Sequence, residues 1–221
     1  MAKLGDTLTT LLAQNQAWSE VMKEVDSRFF DQLSSGHKPK CFWIGCSDAR
    51  VSPNQIMASK LGELFIYRNI GNQVVATDAA FNSALEYALF GLGVSHIVLC
   101  GHYCCGGVRA ALSGESSGKH LTDWLQGMRG EFTRHQLTAT DAKVVEENWD
   151  TACEININFQ LARLCSSQLL HDYWGAGSEL SIHPILFDLR SGLLKSHNVS
   201  VSSSDACLLY TSPSPRDCKT S

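Results

Sequence analysis

The sequence lacks a long apolar run and a strong charge of either sign. No stretch approaches the roughly 18 apolar residues that a membrane-spanning helix needs. The formal net charge of −4 gives no electrostatic reason to expect nucleic acid or an anionic membrane as a partner. The opening segment “MAKLGDTLTTLLAQNQ” is too polar for a signal peptide and lacks the arginines of a transit peptide. We therefore expect a cytoplasmic protein that binds neither nucleic acid nor membrane.

The sequence also lacks internal repeats and any shift in composition that would mark a domain boundary before residue 202. Its length of 221 residues suits one sizeable domain with its own core, which we assign to residues 1–201. From residue 202 onward Ser and Thr dominate, and Pro213 and Pro215 interrupt any regular element. We predict that residues 202–221 form a disordered tail, or a non-native one, since “LLYTSPSPRD” resembles translated library adaptor sequence.

Three short apolar runs are continuous and not alternating, as in strands that are buried on both faces. They are “KCFWIGC”, “ELFIYRNI” and “HIVLCGH”. The segment “TDAAFNSALEYALFGLG” between the last two predicts a helix that begins near Asp78. A strand, a helix and a strand in this order imply parallel strands joined by a right-handed crossover.

Further helices are predicted over about residues 5–35 and 141–170. The stretch 179–192, “ELSIHPILFDLRSG”, predicts a last strand pair or a bent strand. Pro184 is expected to restrict that strand to a sheet edge or a bulge, because proline lacks the N–H that a ladder needs. We therefore predict an α/β fold, with a central, mostly parallel β-sheet flanked by helices and with an N-terminal helical arm.

Cysteine, in contrast, is abundant, with 9 residues at spacings that match no disulfide framework. In a chain without a secretory signal, free thiols or metal ligation are expected. One predicted strand ends in “CSDAR”, with Cys46, Asp48 and Arg50, and another ends in “GHYCCGG”, which begins at Gly101 and includes His102. Because sites in open α/β sheets lie outside the carboxyl ends of the strands, we expect the two groups to meet in space.

Two thiolates and one imidazole suit Zn²⁺, and three protein ligands leave open the fourth position of a catalytic site. Cys46 and His102 supply two of these ligands. Spacing leaves both Cys104 and Cys105 as candidates for the third. Cys105 is favoured because it adjoins the glycine pair at which the chain turns and because a helix N-terminus there would favour a thiolate. Taken alone, “CSDAR” is equally a strand thiol followed by an exposed ion pair, and only its coincidence with “GHYCCGG” favours a site.

The two groups resemble the Cys-x-Asp-x-Arg and His-x-x-Cys-Gly-Gly motifs of the β-class carbonic anhydrases. The likeness extends over about residues 5–201 and includes “ELFIYRNIGN” and “SALEYAL”. It is closest to the bacterial-type subgroup. The resemblance implies one Zn²⁺ per subunit, held by Cys46, His102 and Cys105, with Cys104 at a position where the family often has a small residue.

The resemblance also implies reversible hydration of carbon dioxide to bicarbonate and a proton, for which zinc lowers the pKa of water. Asp48 is expected to accept a hydrogen bond at the open position of the metal, and Arg50 is expected to keep Asp48 ionised. In the bacterial-type subgroup the counterpart of Asp48 also binds zinc in a closed, inactive state. Hydrolysis of CS2 or COS on the same scaffold is an alternative, and so is a catalytically inactive, zinc-stabilised binding protein, against which the intact Asp48 and Arg50 argue.

Two further features follow from the resemblance alone. The subgroup has a regulatory bicarbonate pocket, in which Phe187 here replaces a tyrosine and Ile185 replaces a tryptophan. The other counterparts of that pocket are Trp43, Gly45, Val51 and Arg68. The family also builds its active sites at dimer interfaces, which implies a homodimer or a dimer of dimers whose N-terminal helix reaches across to the partner.

Overall fold

The computed structural model of the chain describes residues 4–115, 118–139, 141–197 and 200–211. The chain divides into two compact units, residues 1–38 and residues 39–221. The second unit contains the β-sheet and every residue of the predicted site. Among the described residues, no helix combines the length and the apolar character needed to cross a membrane.

The N-terminal unit contains two helices, α1 (Leu4–Val25) and α2 (Phe29–Ser34), where the sequence predicted a single helix over residues 5–35. The break lies at Asp26, whose side-chain Oδ1 accepts a hydrogen bond from the Arg28 N–H at 2.9 Å. Its carbonyl accepts from the Phe29 N–H at 3.0 Å. An aspartate that binds the backbone two residues on offers the chain a turn in place of a further helical bond. This local competition ends α1.

Five strands form one sheet in the order β2-β1-β3-β4-β5. They are β1 (Cys41–Cys46), β2 (Leu64–Asn69), β3 (His96–His102), β4 (Ser181–Asp188) and β5 (Leu193–Ser196). The pairs β1–β2, β1–β3 and β3–β4 are parallel, and β4–β5 is antiparallel. The three strands predicted from continuous apolar runs are confirmed, as is the mostly parallel α/β sheet.

Helices connect and cover these strands. They are α3 (Pro53–Ile56), α4 (Ala79–Glu86), α5 (Gly106–Ser113), α6 (Lys119–Arg134), α7 (Ala142–Cys165), α8 (Gln168–Gly175) and α9 (Ser204–Thr211). Asp78 caps α4 by accepting from the Ala80 N–H at 2.9 Å, and α4 continues as a π-helical turn over Tyr87–Gly91. Asp141 caps α7 through the N–H groups of two following residues. Both capping aspartates lie where the sequence predicted a helix to begin.

The helix predicted over residues 141–170 is interrupted. α7 ends at Cys165, and Ser167 begins α8 with an extended backbone. The break places Ser166 at the C-cap of α7 and Ser167 at the N-cap of α8. Serine is favoured at a helix N-cap and is neutral to unfavourable within a helix interior, so this pair stops one helix and starts the next.

Pro184 lies in β4, an inner strand, so the prediction that it marks an edge or a bulge is wrong. The Pro184 carbonyl accepts from the His197 N–H at 3.1 Å. Since the nitrogen and the carbonyl of one strand residue face the same side, the Pro184 nitrogen faces away from β3. The β3–β4 ladder therefore loses no hydrogen bond. On the side of β4 that faces β5, Pro184 lies beyond the ladder, because β5 ends at Ser196, which is opposite Ile185.

Alternate residues of the central strands enter two apolar clusters. Phe42, Ile44 and Leu99 belong to the large core that the helices complete. Trp43 and Val98, one position away, belong to a smaller cluster on the other face of the sheet. This alternation is the period of two that a strand imposes, and burial on both faces explains why the runs were continuously apolar.

The C-terminal segment differs from the predicted disordered tail over Ser204–Thr211, which forms α9. Cys207 of this helix is buried and forms a disulfide with Cys165 at the end of α7. Composition alone missed the helix because its stabilising partner lies 42 residues earlier in the chain. Residues 212–221 of the predicted tail lie outside the described residues, and the assignment of residues 1–201 as the domain stays a prediction.

Candidate active site

The two strand ends that carry unusual residues are neighbours. β1 and β3 pair in parallel, with Cys41 opposite His96 and Gly45 opposite Cys100. Their carboxyl ends therefore lie side by side at one edge of the sheet. Cys46 is the last residue of β1 and His102 is the last residue of β3, so the fold brings the two predicted groups together.

Cys46, His102 and Cys105 form a buried group with potential metal-binding atoms that all lie within 4.8 Å of one another. The two sulfurs are 3.9 Å apart. Each side chain is almost fully buried, with at most 4% of its residue surface exposed. Two thiols and one imidazole at this separation are a zinc-type ligand set, and three ligands leave one tetrahedral position free.

His102 is held in the orientation that a metal ligand requires. Its Nδ1 lies 2.9 Å from the carbonyl oxygen of Tyr103, which accepts the Nδ1 proton and leaves a lone pair on Nε2. Among the described residues, Nε2 is buried without a hydrogen-bond partner. A buried acceptor without a partner is costly, and a cation beside the two sulfurs would satisfy it. The donor set therefore fits Zn²⁺.

Cys105, and not Cys104, lies with Cys46 and His102. Cys105 is the N-cap of α5, as the position of the glycine pair predicted. Cys104 has a positive φ of 56°, which turns the chain between β3 and α5. Gly107 in the first turn of α5 is needed for a close approach, because a Cβ there would lie 2.9 Å from the Ile70 side chain.

The thiols share their protons unequally. The hydrogen bond with Cys105 lowers the pKa of the Cys46 thiol against the opposing effect of burial, and the nearby His102 ring and Gly71 N–H lower it further. The same pairing, together with burial, raises the pKa of Cys105. A zinc ion held by this group would take both sulfurs as thiolates, so its binding would release the proton that the two thiols share.

Asp48 and Arg50 form a two-point ion pair beside the metal-binding group. Arg50 Nε donates to Asp48 Oδ1 at 2.9 Å, and Arg50 Nη2 donates to Oδ2 at 2.7 Å. Asp48 Oδ2 is 3.8 Å from His102 Nε2. The Arg50 side chain, by hydrogen bonding, lowers the pKa of Asp48 from 3.8 to about 2, so the carboxylate is ionised at any physiological pH.

Arg50 and Arg68 also fix the backbone of this segment. Arg50 Nη2 donates to the Cys104 carbonyl at 3.1 Å, which the left-handed backbone of Cys104 presents. Arg68 on β2 donates from Nε to the Cys46 carbonyl at 2.7 Å and from Nη2 to the Asp48 carbonyl at 2.6 Å. The chain on either side of the metal-binding group is thus tied by charged hydrogen bonds.

Sequence reasoning missed the contribution of α7. Trp149 Nε1 donates to the Cys105 carbonyl at 2.8 Å. One face of α7 therefore meets the segment that carries a predicted zinc ligand.

Two buried amides on the same helix hold the loop after β2. Asn156 Nδ2 donates to the Gly71 carbonyl at 3.1 Å, and Gln160 Oε1 accepts from the Val74 N–H at 2.8 Å. The two amides also bond to each other at 2.9 Å. The sequence contained one indication of this network. Asn156 and Gln160 are four residues apart within an otherwise apolar helical pattern, and this spacing places both side chains on one face.

The residues of the predicted bicarbonate pocket lie close together. Trp43, Val51 and Phe187 share the smaller apolar cluster, with Ile185 packed against it. Gly45 is opposite Arg68 in the β1–β2 register. A Cβ on Gly45 would lie 2.3 Å from Trp43 Nε1, so this glycine makes room for the indole. Among the described residues, Trp43 Nε1 is buried without a partner.

An α/β sheet whose adjacent parallel strands end in a buried Cys-His-Cys group beside an ionised carboxylate defines a zinc-dependent enzyme. Comparison with known proteins identifies which one. Residues 41–194 match the family described as carbonic anhydrase. The chain is 34% identical over 196 residues to the carbonic anhydrase of Emericella nidulans, which covers 89% of this chain and 86% of that relative.

Solved structures agree with the sequence comparison. The Coccomyxa beta-carbonic anhydrase in complex with acetazolamide has a TM-score of 0.84 at 30% identity and covers 91% of each chain. A tetrameric beta-carbonic anhydrase of Sordaria macrospora has a TM-score of 0.80 at 30% identity, covering 89% of this chain and 99% of that one. The chain belongs to the carbonic anhydrase family, in its β class. Its activity is the reversible hydration of carbon dioxide to bicarbonate and a proton, with zinc as the cofactor.

Proposed function

We propose that Cys46, His102 and Cys105 hold one zinc ion and that Asp48 and Arg50 form the catalytic pair beside it. When bound, zinc supplies a Lewis acid that makes hydroxide available near neutral pH. The observation that carries the proposal is the ionised Asp48 carboxylate, 3.8 Å from a nitrogen of the metal-binding group.

Asp48 accepts the proton of the attacking hydroxide in a hydrogen bond and so directs the hydroxide lone pair toward carbon dioxide. It performs this role only as a carboxylate, which is the form that Arg50 stabilises. Arg50 fixes the carboxylate plane by donating to both of its oxygens. The buried apolar side chains around Cys46 exclude bulk water, which strengthens these interactions.

A second role for Asp48 is as a conditional metal ligand. If the pair with Arg50 breaks, the carboxylate is close enough to the metal-binding group to occupy the fourth position and block the substrate. The intact pair with Arg50 supports an open arrangement in which Asp48 is held by the guanidinium.

Stopped-flow hydration of carbon dioxide, with zinc measured on the same sample, tests the proposal. We expect hydration by the zinc-loaded protein and a loss of both zinc and activity in Cys46→Ser and His102→Ala. Asp48→Asn should retain zinc but lose activity by orders of magnitude. Hydrolysis of CS2 or COS without hydration of carbon dioxide would favour a different hydrolase on this scaffold. Bound zinc without either activity would favour a binding protein.

We further propose that the chain forms a homodimer or a dimer of dimers. Support comes from the exposed apolar side chains of the N-terminal unit, since Leu8, Leu11 and Leu12 are each more than half exposed. Such a face is costly in water, and a second copy of the chain would cover it. Support also comes from the Sordaria macrospora relative, which is described as tetrameric. Sedimentation velocity of the wild type against a Leu8→Ser, Leu12→Ser variant tests this proposal.

The bicarbonate pocket and the bacterial-type assignment stay predictions. The unpartnered indole N–H of Trp43 supports an anion site. The guanidinium of Arg68 is engaged by two backbone carbonyls, so bicarbonate would have to compete with them. Phe187 lacks the hydroxyl of the tyrosine that it replaces, so it cannot donate a hydrogen bond to bicarbonate. We propose a cytoplasmic location without nucleic-acid or membrane partners, which fractionation of the source cells would test.

A further inference from the structure

Two histidines face each other at the end of the sheet opposite the active site. His96 Nδ1 and His183 Nε2 are 3.1 Å apart, and the two ring planes are tilted by 36°. His96 begins β3, six residues before His102 on the same strand. At about 3.3 Å per residue, His96 is about 20 Å from His102 along the strand, and His183, opposite Val98, is about 13 Å from the level of His102. The pair belongs to neither the catalytic group nor its support.

The sheet register makes this pair. β3 and β4 are parallel, with His96 opposite Ser181 and Val98 opposite His183. Residues two apart on a strand share a face, so both rings project from the same side of the sheet on adjacent strands. His96 is exposed and His183 is half-buried. The pair is therefore held by the backbone and open to solvent on one side.

Ser200 contacts the less exposed ring. Its Oγ lies 2.7 Å from His183 Nδ1. If Nδ1 donates its proton to this hydroxyl, Nε2 carries the lone pair and directs it toward His96. A ligating histidine usually donates its second N–H to an oxygen in this way, which sets its orientation and its basicity.

The separation of the nitrogens matches that of two ligands on one cation. Zn–N bonds of about 2.0–2.1 Å imply a nitrogen separation of about 3.3–3.4 Å at a tetrahedral ion and about 2.9 Å at an octahedral one. The observed 3.1 Å lies between these values. The contact is a hydrogen bond that one ring donates to the other, and an ion would replace that proton as both rings turn their lone pairs toward it.

Protonation does not compete strongly at neutral pH. Burial and the neighbouring His96 lower the pKa of His183. Two imidazoles at this distance repel each other when both are charged. The neutral form of His183, which binds metals, is therefore favoured in the folded protein.

We propose that His96 and His183 form a second site for a divalent transition metal such as Zn²⁺ or Ni²⁺. Water completes the coordination, so the site is weaker than the three-ligand catalytic centre. Cys41 is opposite His96 on β1 but is not part of the site. Its thiol is protonated at neutral pH, because burial raises its pKa to about 11.

Isothermal titration of Zn²⁺ into the zinc-loaded enzyme tests the site. We expect one additional equivalent in the wild type, with affinity at least tenfold lower in His96→Gln and in His183→Gln. His135→Gln is the matched control, because His135 lies 3.2 Å from a Glu131 oxygen at another surface position and should leave the additional equivalent unchanged. Retained hydration of carbon dioxide by each variant would show that its fold and catalytic zinc are intact.

Three outcomes would overturn the proposal. One is that the wild type binds no additional Zn²⁺. Another is that both histidine variants bind it as tightly as the wild type. The third is that Cys41→Ser abolishes binding, which would assign the metal to the thiol. Ni²⁺, which is less thiol-selective than Zn²⁺, should give the same ranking of variants, and Ser200→Ala should weaken binding of either metal by several-fold.

Discussion

Replacing Arg50 by glutamine tests whether the ion pair with Asp48 keeps the active site open. Arg50 lowers the pKa of Asp48 from 3.8 to about 2, mainly through side-chain hydrogen bonds. That difference corresponds to about 2.5 kcal/mol before screening. Because 56% of the Arg50 side chain is exposed, solvent screening reduces it to about 1–2 kcal/mol. Glutamine is polar, but it has neither the positive charge nor the two parallel N–H donors with which the arginine binds both oxygens of Asp48.

A loss of 1–2 kcal/mol changes the ratio between Asp48 held by residue 50 and Asp48 released from it by about 5- to 30-fold. We therefore expect carbon dioxide hydration by Arg50→Gln, measured by stopped flow, to fall by about that factor, with zinc content unchanged. Arg50→Lys should fall less, because it keeps the charge. Arg190→Gln is the matched control, since Arg190 is 57% exposed and pairs with Asp150. A wild-type rate for Arg50→Gln, or an equal loss in Arg190→Gln, would refute the role of the pair.

The same pair predicts a pH dependence of stability. The pKa of Asp48 is lower in the folded protein than in the unfolded chain. The pair with Arg50 therefore makes its full contribution to the free energy of unfolding above about pH 4. That contribution is lost as the pH falls through about 2. The difference in free energy of unfolding between wild type and Arg50→Gln should therefore be constant near neutral pH and should shrink between about pH 4 and pH 2. Urea titrations at matched pH measure it.

Three other predictions concern the ligands, their support and regulation. Cys105→Ser should lose most bound zinc and most activity while Cys104→Ser keeps both, and normal zinc content in Cys105→Ser, measured by atomic absorption, would contradict the assignment. Asn156→Ala should lower the free energy of unfolding by about 2–4 kcal/mol, because it leaves two buried polar partners unpaired. Asn148→Ala, with its amide exposed on the same helix, should cost under about 0.5 kcal/mol, and equal losses in urea titrations would exclude the buried network as the cause. Bicarbonate inhibition of initial rates should be weak in the wild type and stronger in Phe187→Tyr, and identical inhibition of the two would argue against the pocket.

The meeting of Cys46, His102 and Cys105 could be predicted because each lies within a few residues of a recognisable strand end. A parallel sheet then brings neighbouring ends together without further information. The dyad of Asp48 and Arg50 was predictable for the same reason, since its partners are two residues apart. The structure places Cys46, His102 and Cys105 together, and their roles as zinc ligands stay a prediction, as does the catalytic role of Asp48 and Arg50.

Features that depend on distant partners were not predictable in this way. Gln160 meets the Val74 N–H across 86 residues, and no periodicity states which loop a helix face will meet. Cys207 of α9 forms a disulfide with Cys165, a contact that the composition of the segment does not reveal. Pro184 was assigned to an edge because the rule considers a whole strand, whereas the Pro184 nitrogen faces away from β3 and the β3–β4 ladder needs no hydrogen bond from it.

The position of α7 has a consequence for motion at the zinc site. Trp149 and Gln160 are eleven residues apart, or about 16 Å along the axis, and between them they bond to the chain segments that follow β3 and β2. A single helix of 24 residues moves as one body. The two segments should therefore open together, and their amide protons should exchange with solvent at a common free energy. Asp48 has no bond to this helix among the described contacts, so its side chain is free to leave Arg50 while the zinc ligands stay fixed.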